Sequence, residues 1–173
     1  MRALVLGGVR SGKSAYAESL VAGRVAYVAT ARARDDADWA VRIAAHRARR
    51  PASWSTVEAG GDPKLLVEAV RAAEPGCALL VDDVGNWLTS AVDVTGGWEQ
   101  PAAVDRVVSE LVDAVSRCPA PLVLVSPEVG WGVLPATRAG RIFADAQGRL
   151  NQRLAAACDQ VTLVVAGLPV RLK

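Results

Sequence analysis

Hydrophobic residues are distributed along the chain as short continuous runs alternating with stretches of helical spacing. Residues 3–6 (Ala-Leu-Val-Leu) form one run, stopped by Gly7, and Ala15, Ala17, Leu20 and Val21 then recur at helical spacing within 14–22. This predicts strand, glycine loop, helix. A second run at 25–29 is apolar throughout rather than alternating, as expected of a parallel strand covered on both faces. Asp35-Asp36 predicts a helix start, with Pro51 as the stop after about residue 50, and Asp62-Pro63 opens another helix through 73. A short strand is expected at 54–57.

The run at 78–81 predicts a third strand, ending in Asp82-Asp83. Gly96, Gly97 and Pro101 mark a loop, after which Val104, Val107, Val108, Leu111, Val112 and Val115 give the clearest helical pattern, ending at Cys118. Pro119 and Pro121 separate that helix from a strand at 122–125. A long helix is expected over 138–157, and runs at 161–165 and 170–172 complete the sheet. Strands alternating with helices predict an open α/β fold with a mostly parallel sheet flanked by helices, in one domain covering 1–173.

Composition narrows the classes. Of 173 residues, 51% are hydrophobic and 22% charged, which excludes a disordered chain, and every long apolar run is interrupted, which excludes a membrane helix. A net charge of +2 is too small to suggest a nucleic-acid partner. Cys77, Cys118 and Cys158 are widely spaced without a CxxC pair, so neither a zinc site nor a disulfide framework is indicated. Only residues 3–6 precede the first glycine, too few for the apolar core of a secretory signal, and a cytoplasmic protein is expected.

Gly7-Gly8-Val9-Arg10-Ser11-Gly12-Lys13-Ser14 fits G-x-x-x-x-G-K-[ST] and lies between the first expected strand and helix. Loop amides and the helix start would surround phosphate, Lys13 would reach the β and γ phosphates, and the Ser14 hydroxyl would hold a magnesium ion. The alternative is an ordinary glycine turn. The acidic partner expected at a later strand end is Asp82 or Asp83, with Asp82 favoured for the metal and Asp83 also readable as a helix cap. No Asn-Lys-x-Asp segment follows, so a signalling GTPase is not indicated, and a small-molecule phosphotransferase is the general expectation.

The chain has one histidine, His46, on the expected helix with Arg42, Arg47, Arg49 and Arg50. Arg42 and Arg50 lie four residues away on either side and share its face. Neighbouring positive charge lowers an imidazole's pKa and keeps it neutral and nucleophilic, and the arginines suit a polyphosphate. Taken alone, a single histidine on a polar helix is more often solvated than catalytic.

These pieces resemble the bifunctional adenosylcobinamide kinase / adenosylcobinamide-phosphate guanylyltransferase family. The blocks are Gly7 to Ser14 with Glu18, Tyr27-Val28-Ala29-Thr30-Ala31, Asp35-Asp36, and Arg42-Ile43-x-x-His46-Arg47. They continue with Arg50-Pro51-x-x-Trp54-x-Thr56-x-Glu58 and Glu128-Val129-Gly130-x-Gly132-Val133-x-Pro135. Gly148-Arg149-Leu150-Asn151-Gln152 and Val164-Val165-Ala166-Gly167-Leu168-Pro169 close the match. Two stretches depart from the family: Asp83-Val84-Gly85-Asn86 stands where it has Cys-Leu-Thr-Leu, and Pro127 where it has Asn.

The resemblance implies a P-loop nucleoside triphosphate hydrolase-like fold and an enzyme that phosphorylates adenosylcobinamide with ATP or GTP, then transfers GMP from GTP by way of a histidine. That histidine falls on His46. Ala31, Arg32, Arg47, Arg49, Arg50, Glu58 and Asp82 are implied nucleotide contacts, with Glu58 also readable as an exposed carboxylate after a strand. The resemblance also implies a homo-oligomer, a trimer. A P-loop kinase of another metabolite, or a non-catalytic nucleotide-binding regulator, is the alternative. The Glu128–Gly132 stretch follows an expected strand end, the usual place for a ligand loop.

Overall fold

The computed structural model describes residues 1–32 and 51–173. The expected helix from Asp35-Asp36 to residue 50, with His46, Arg47, Arg49 and Arg50, lies outside the described residues. Among the described residues seven strands form one sheet: β1 (Arg2–Gly7), β2 (Val25–Ala29), β3 (Ser55–Glu58), β4 (Ala78–Asp82), β5 (Leu122–Pro127), β6 (Gln160–Val165) and β7 (Leu168–Arg171). Their order is β3-β2-β4-β5-β1-β6-β7. All pairings are parallel except β6 with β7, so the expected mostly parallel sheet is present.

The helices are α1 (Lys13–Ser19), α2 (Pro63–Arg71), α3 (Val84–Thr95), α4 (Asp105–Arg117) and α5 (Arg138–Ala157), with a 3-10 turn at Pro101–Val104. Apolar side chains alternate between the two faces of the central strands. Leu4, Leu6, Val81, Leu122 and Leu124 pack with Leu66, Trp87, Leu88, Leu111 and Leu150 of the helices on one face. Val5, Tyr27, Leu80, Val123 and Val125 pack with Ala17 of α1 on the other. Burial on both faces is the reason the strands read as continuous apolar runs.

The helix from Pro63 ends at Arg71 rather than 73, β3 is shifted by one residue and β5 runs two residues further, and larger differences lie elsewhere. The first helix ends at Ser19 rather than 22. Helix α3 occupies a stretch left unassigned, although its buried Val84, Trp87, Leu88, Ala91 and Val92 have helical spacing; polar Asn86, Thr89 and Asp93 dilute the run. Finally β7 begins at Leu168 and turns back antiparallel on β6 through Ala166 and Gly167, whose φ values are +50° and +80°. Two successive positive-φ residues make the tight turn that suits a twisted hairpin.

Candidate nucleotide site

Parallel strands all point their C-terminal ends to one edge, and the candidate residues leave the sheet there. Gly7 ends β1 buried, and a Cβ on it would come within 2.4 Å of Ser11 Oγ and 2.8 Å of Val164 O. No larger residue fits. Gly12, which precedes α1, has φ +92°, where L side chains are strained, and a Cβ there would lie 3.2 Å from Gly167 Cα. Within the loop, Ser11 N donates to Gly8 O (3.3 Å), Lys13 N to Ser11 Oγ (3.3 Å) and Lys13 Nζ to Gly8 O (3.3 Å). From outside, Gly167 N donates to Ser11 O at 2.8 Å. The β6–β7 turn thus braces the loop, a contact for which the sequence offers only the Ala166-Gly167 pair as a signal.

Asp82 ends β4, two strands from β1, and its Oδ2 accepts from the Tyr27 hydroxyl at 3.0 Å. Asp83 Oδ1 accepts from Asn86 N at 2.8 Å and caps α3, as its alternative reading anticipated. Burial raises the Asp83 carboxyl above its ordinary pKa; the Asn86 N–H opposes this, Asp82 adds to it, and Lys13 opposes it. β1 and β4 flank β5, so the phosphate loop and the β4 acids leave the sheet at the same edge. Buried Thr30 ties β2 to this corner: its Oγ1 donates to Asp83 O (2.6 Å).

Ala31 and Arg32 follow on the same edge. The Arg32 guanidinium pairs with Asp93 Oδ2 at 3.3 Å and donates to Gly61 O at 3.4 Å. A Cβ on Gly60 would fall 2.3 Å from Ala31 O, so backbone meets backbone where the chain leaves β3 just beyond Glu58. Gly60 and Gly61 are missed by motif reading; their signal is the Gly-Gly-Asp-Pro turn. Glu58, exposed at the end of β3, shares this edge, being paired in register with Ala29. Tyr27 and Thr30, which the sequence marks only as part of a family block without a role, contact Asp82 and Asp83 here.

Both departures in sequence also meet here: a Cβ on Gly85 would lie 2.5 Å from Pro127 Cγ, so the proline ring occupies the space a side chain at 85 would need. Behind Pro127, buried Gln147 and Asn151 of α5 join Ser126: Gln147 Nε2 donates to Ser126 Oγ (2.9 Å) and Asn151 Oδ1 (3.0 Å), and Asn151 Nδ2 donates to Pro127 O (3.1 Å). A cavity of about 410 Å³ between Glu18, Val21 and Trp54 includes no residue of the phosphate loop.

A glycine loop between strand and helix, a lysine directed over it and an acid on a second strand end define a P-loop nucleotide-binding protein. The fold agrees: the solved structure of a prototypical ATPase from the type III secretion system of pathogenic bacteria superposes with a TM-score of 0.63 over 98% of this chain, at 14% identity. The chain spans 56% of that ATPase. The chain belongs to the cobinamide kinase / cobinamide phosphate guanyltransferase family, whose sequence model matches residues 3–172. It is 42% identical to the bifunctional adenosylcobalamin biosynthesis protein CobU of Salmonella typhimurium, with the whole of both chains aligned. It is 43% identical to the bifunctional adenosylcobalamin biosynthesis protein CobP of Pseudomonas aeruginosa, over all of this chain and 98% of that one.

Proposed function

We propose that this chain is a bifunctional cobinamide kinase and cobinamide-phosphate guanylyltransferase whose two transfers share the nucleotide site at the C-terminal edge of the sheet. The observation that carries this reading is the formed loop Gly7 to Ser14, with Lys13 folded over it and the β4 acids on the same sheet edge, in a chain related to such enzymes along its full length. In the first transfer the acceptor hydroxyl of adenosylcobinamide attacks the γ phosphorus of ATP or GTP, and the bond to the β-phosphate oxygen breaks. Loop amides and Lys13 hold the β and γ phosphates and take up the charge that develops on the leaving oxygen.

In the second transfer a neutral imidazole nitrogen of His46 attacks the α phosphorus of GTP, and pyrophosphate leaves. The phosphate oxygen of adenosylcobinamide phosphate then attacks the same phosphorus, breaking the N–P bond and giving adenosylcobinamide-GDP. Arg47, Arg49 and Arg50 follow His46 in sequence and supply charge to keep the imidazole neutral and to hold the polyphosphate. Ala31, Arg32 and Glu58 provide the nucleoside-side contacts.

Ser14 and Asp82 offer a hydroxyl and a carboxylate, hard oxygen donors that fit magnesium, an ion that binds through one or two carboxylates plus phosphates and water. Magnesium there would neutralise phosphate charge. No helix among the described residues is long and apolar enough to cross a membrane. The reading is completed by a cytoplasmic location, a single domain over 1–173 and assembly as a homo-oligomer, a trimer.

Incubation with GTP labelled on its α phosphate tests the reading. An acid-labile, alkali-stable protein adduct is expected, absent from His46→Ala, which still phosphorylates adenosylcobinamide with ATP. No adduct on the unaltered chain would indicate a simple kinase or a nucleotide-binding regulator.

A further inference from the structure

The segment between β5 and α5 holds none of the residues assigned to the nucleotide, yet its construction is unusual for a solvated loop. Within six residues four large apolar side chains face solvent: Val129 is 38% exposed, Trp131 73%, Val133 97% and Leu134 78%. Gly130 and Gly132 separate them, and the stretch from Val129 to Leu134 carries no charge. A dense exposed apolar patch marks a contact surface rather than a spacer.

The loop is held at both ends. At its start Glu128 N donates to Gly7 O (3.1 Å), and Glu128 Oε1 accepts from Gly130 N (3.0 Å). At its end Arg141 Nη1 donates to Pro135 O (3.0 Å) and Ala136 O (2.8 Å), while Thr137 Oγ1 caps α5 by accepting from Gly140 N (3.0 Å). The apolar tip therefore stands out from a fixed base. That base adjoins the phosphate loop, because Pro127 is paired in register with Gly7.

We propose that Trp131, Val133 and Leu134 form the platform on which the corrinoid acceptor lies while its reacting hydroxyl or phosphate reaches the nucleotide; this rests on the function proposed above. A corrin is a broad conjugated macrocycle that carries methyl groups among its amide side chains, and an uncharged surface with an aromatic ring offers apolar contact to such a ring. The tip supplies that surface on the sheet edge where the phosphates lie. Being fixed beforehand, it lowers the ordering cost of binding.

The test is steady-state kinetics of the intact protein with adenosylcobinamide and GTP varied separately. Trp131→Ala is expected to raise KM for adenosylcobinamide about ten- to thirtyfold, with KM for GTP unchanged and the α-labelled adduct still formed. Trp131→Phe should recover most of the loss, and Val133→Ser with Leu134→Ser should repeat it. An unchanged acceptor KM in both variants, with turnover intact in the unaltered chain, overturns the platform alone. If those variants instead change only the mass in solution, the tip is a contact between copies and the proposal fails. Absence of adenosylcobinamide turnover by the unaltered chain overturns both the platform and the function it rests on.

Discussion

At Gly12 two independent demands meet: a backbone with φ +92°, and the approach of Gly167 Cα to 3.2 Å of where a Cβ would stand. The left-handed conformation costs an L residue about 1–2 kcal/mol, before any movement of the β6–β7 turn. Gly12→Ala should therefore lower Tm by about 2–8 °C, a range that follows from the usual scaling for a chain of this size. It should also weaken GTP binding, because the amides before Lys13 shift; a thermal melt with and without GTP reads both effects. The loop was legible because its chemistry needs particular residues at fixed spacing. Tyr27, whose hydroxyl donates to Asp82, was not, since a tyrosine in an apolar run gives no sign of which polar group its hydroxyl will meet. Asp83 is intermediate: both of its readings were visible, and the structure shows the cap, with Lys13 electrostatically coupled to the same carboxyl.

Strands and long helices were legible because buried faces impose a period. Helix α4 follows its apolar stripe, with Val108, Leu111 and Val115 buried as the spacing requires. Helix α3 carries the same kind of stripe but begins directly at a strand end, and Asp82-Asp83 draws attention as a ligand rather than as a helix start. What no local pattern reveals is how elements lock. Asn151 of α5 reaches back to Pro127 O at the end of β5, and Ser126 and Gln147 complete a buried polar cluster between that strand end and α5. Asn151→Ala leaves buried polar groups of that cluster without partners, a loss of about 1–3 kcal/mol. Urea unfolding should show a lower midpoint with an unchanged slope.

Across the whole molecule the order β3-β2-β4-β5-β1-β6-β7 sets β5 between the strand that leads into the phosphate loop and the strand that carries the acids. The segment leaving β5 therefore departs from the middle of the site. That placement, invisible in sequence, is what makes the apolar tip at Trp131 a candidate surface for the acceptor. The size of the chain gives the arrangement its economy: 173 residues, one sheet and one phosphate loop are asked to support two transfers. The positive balance of +2 is likewise a poor guide to local charge, since an arginine-rich stretch around His46 is offset by acids elsewhere.

The claim that one nucleotide site serves both reactions is tested most directly by Lys13→Ala, measured in both half-reactions with the same preparation. Phosphorylation of adenosylcobinamide by ATP and labelling of the protein by α-labelled GTP should fall together, each by about a hundredfold or more, as expected when a preorganised charge is removed from a developing anion. Full protein labelling by GTP in Lys13→Ala, with phosphorylation lost, would contradict the account and place guanylyl transfer at a second nucleotide site.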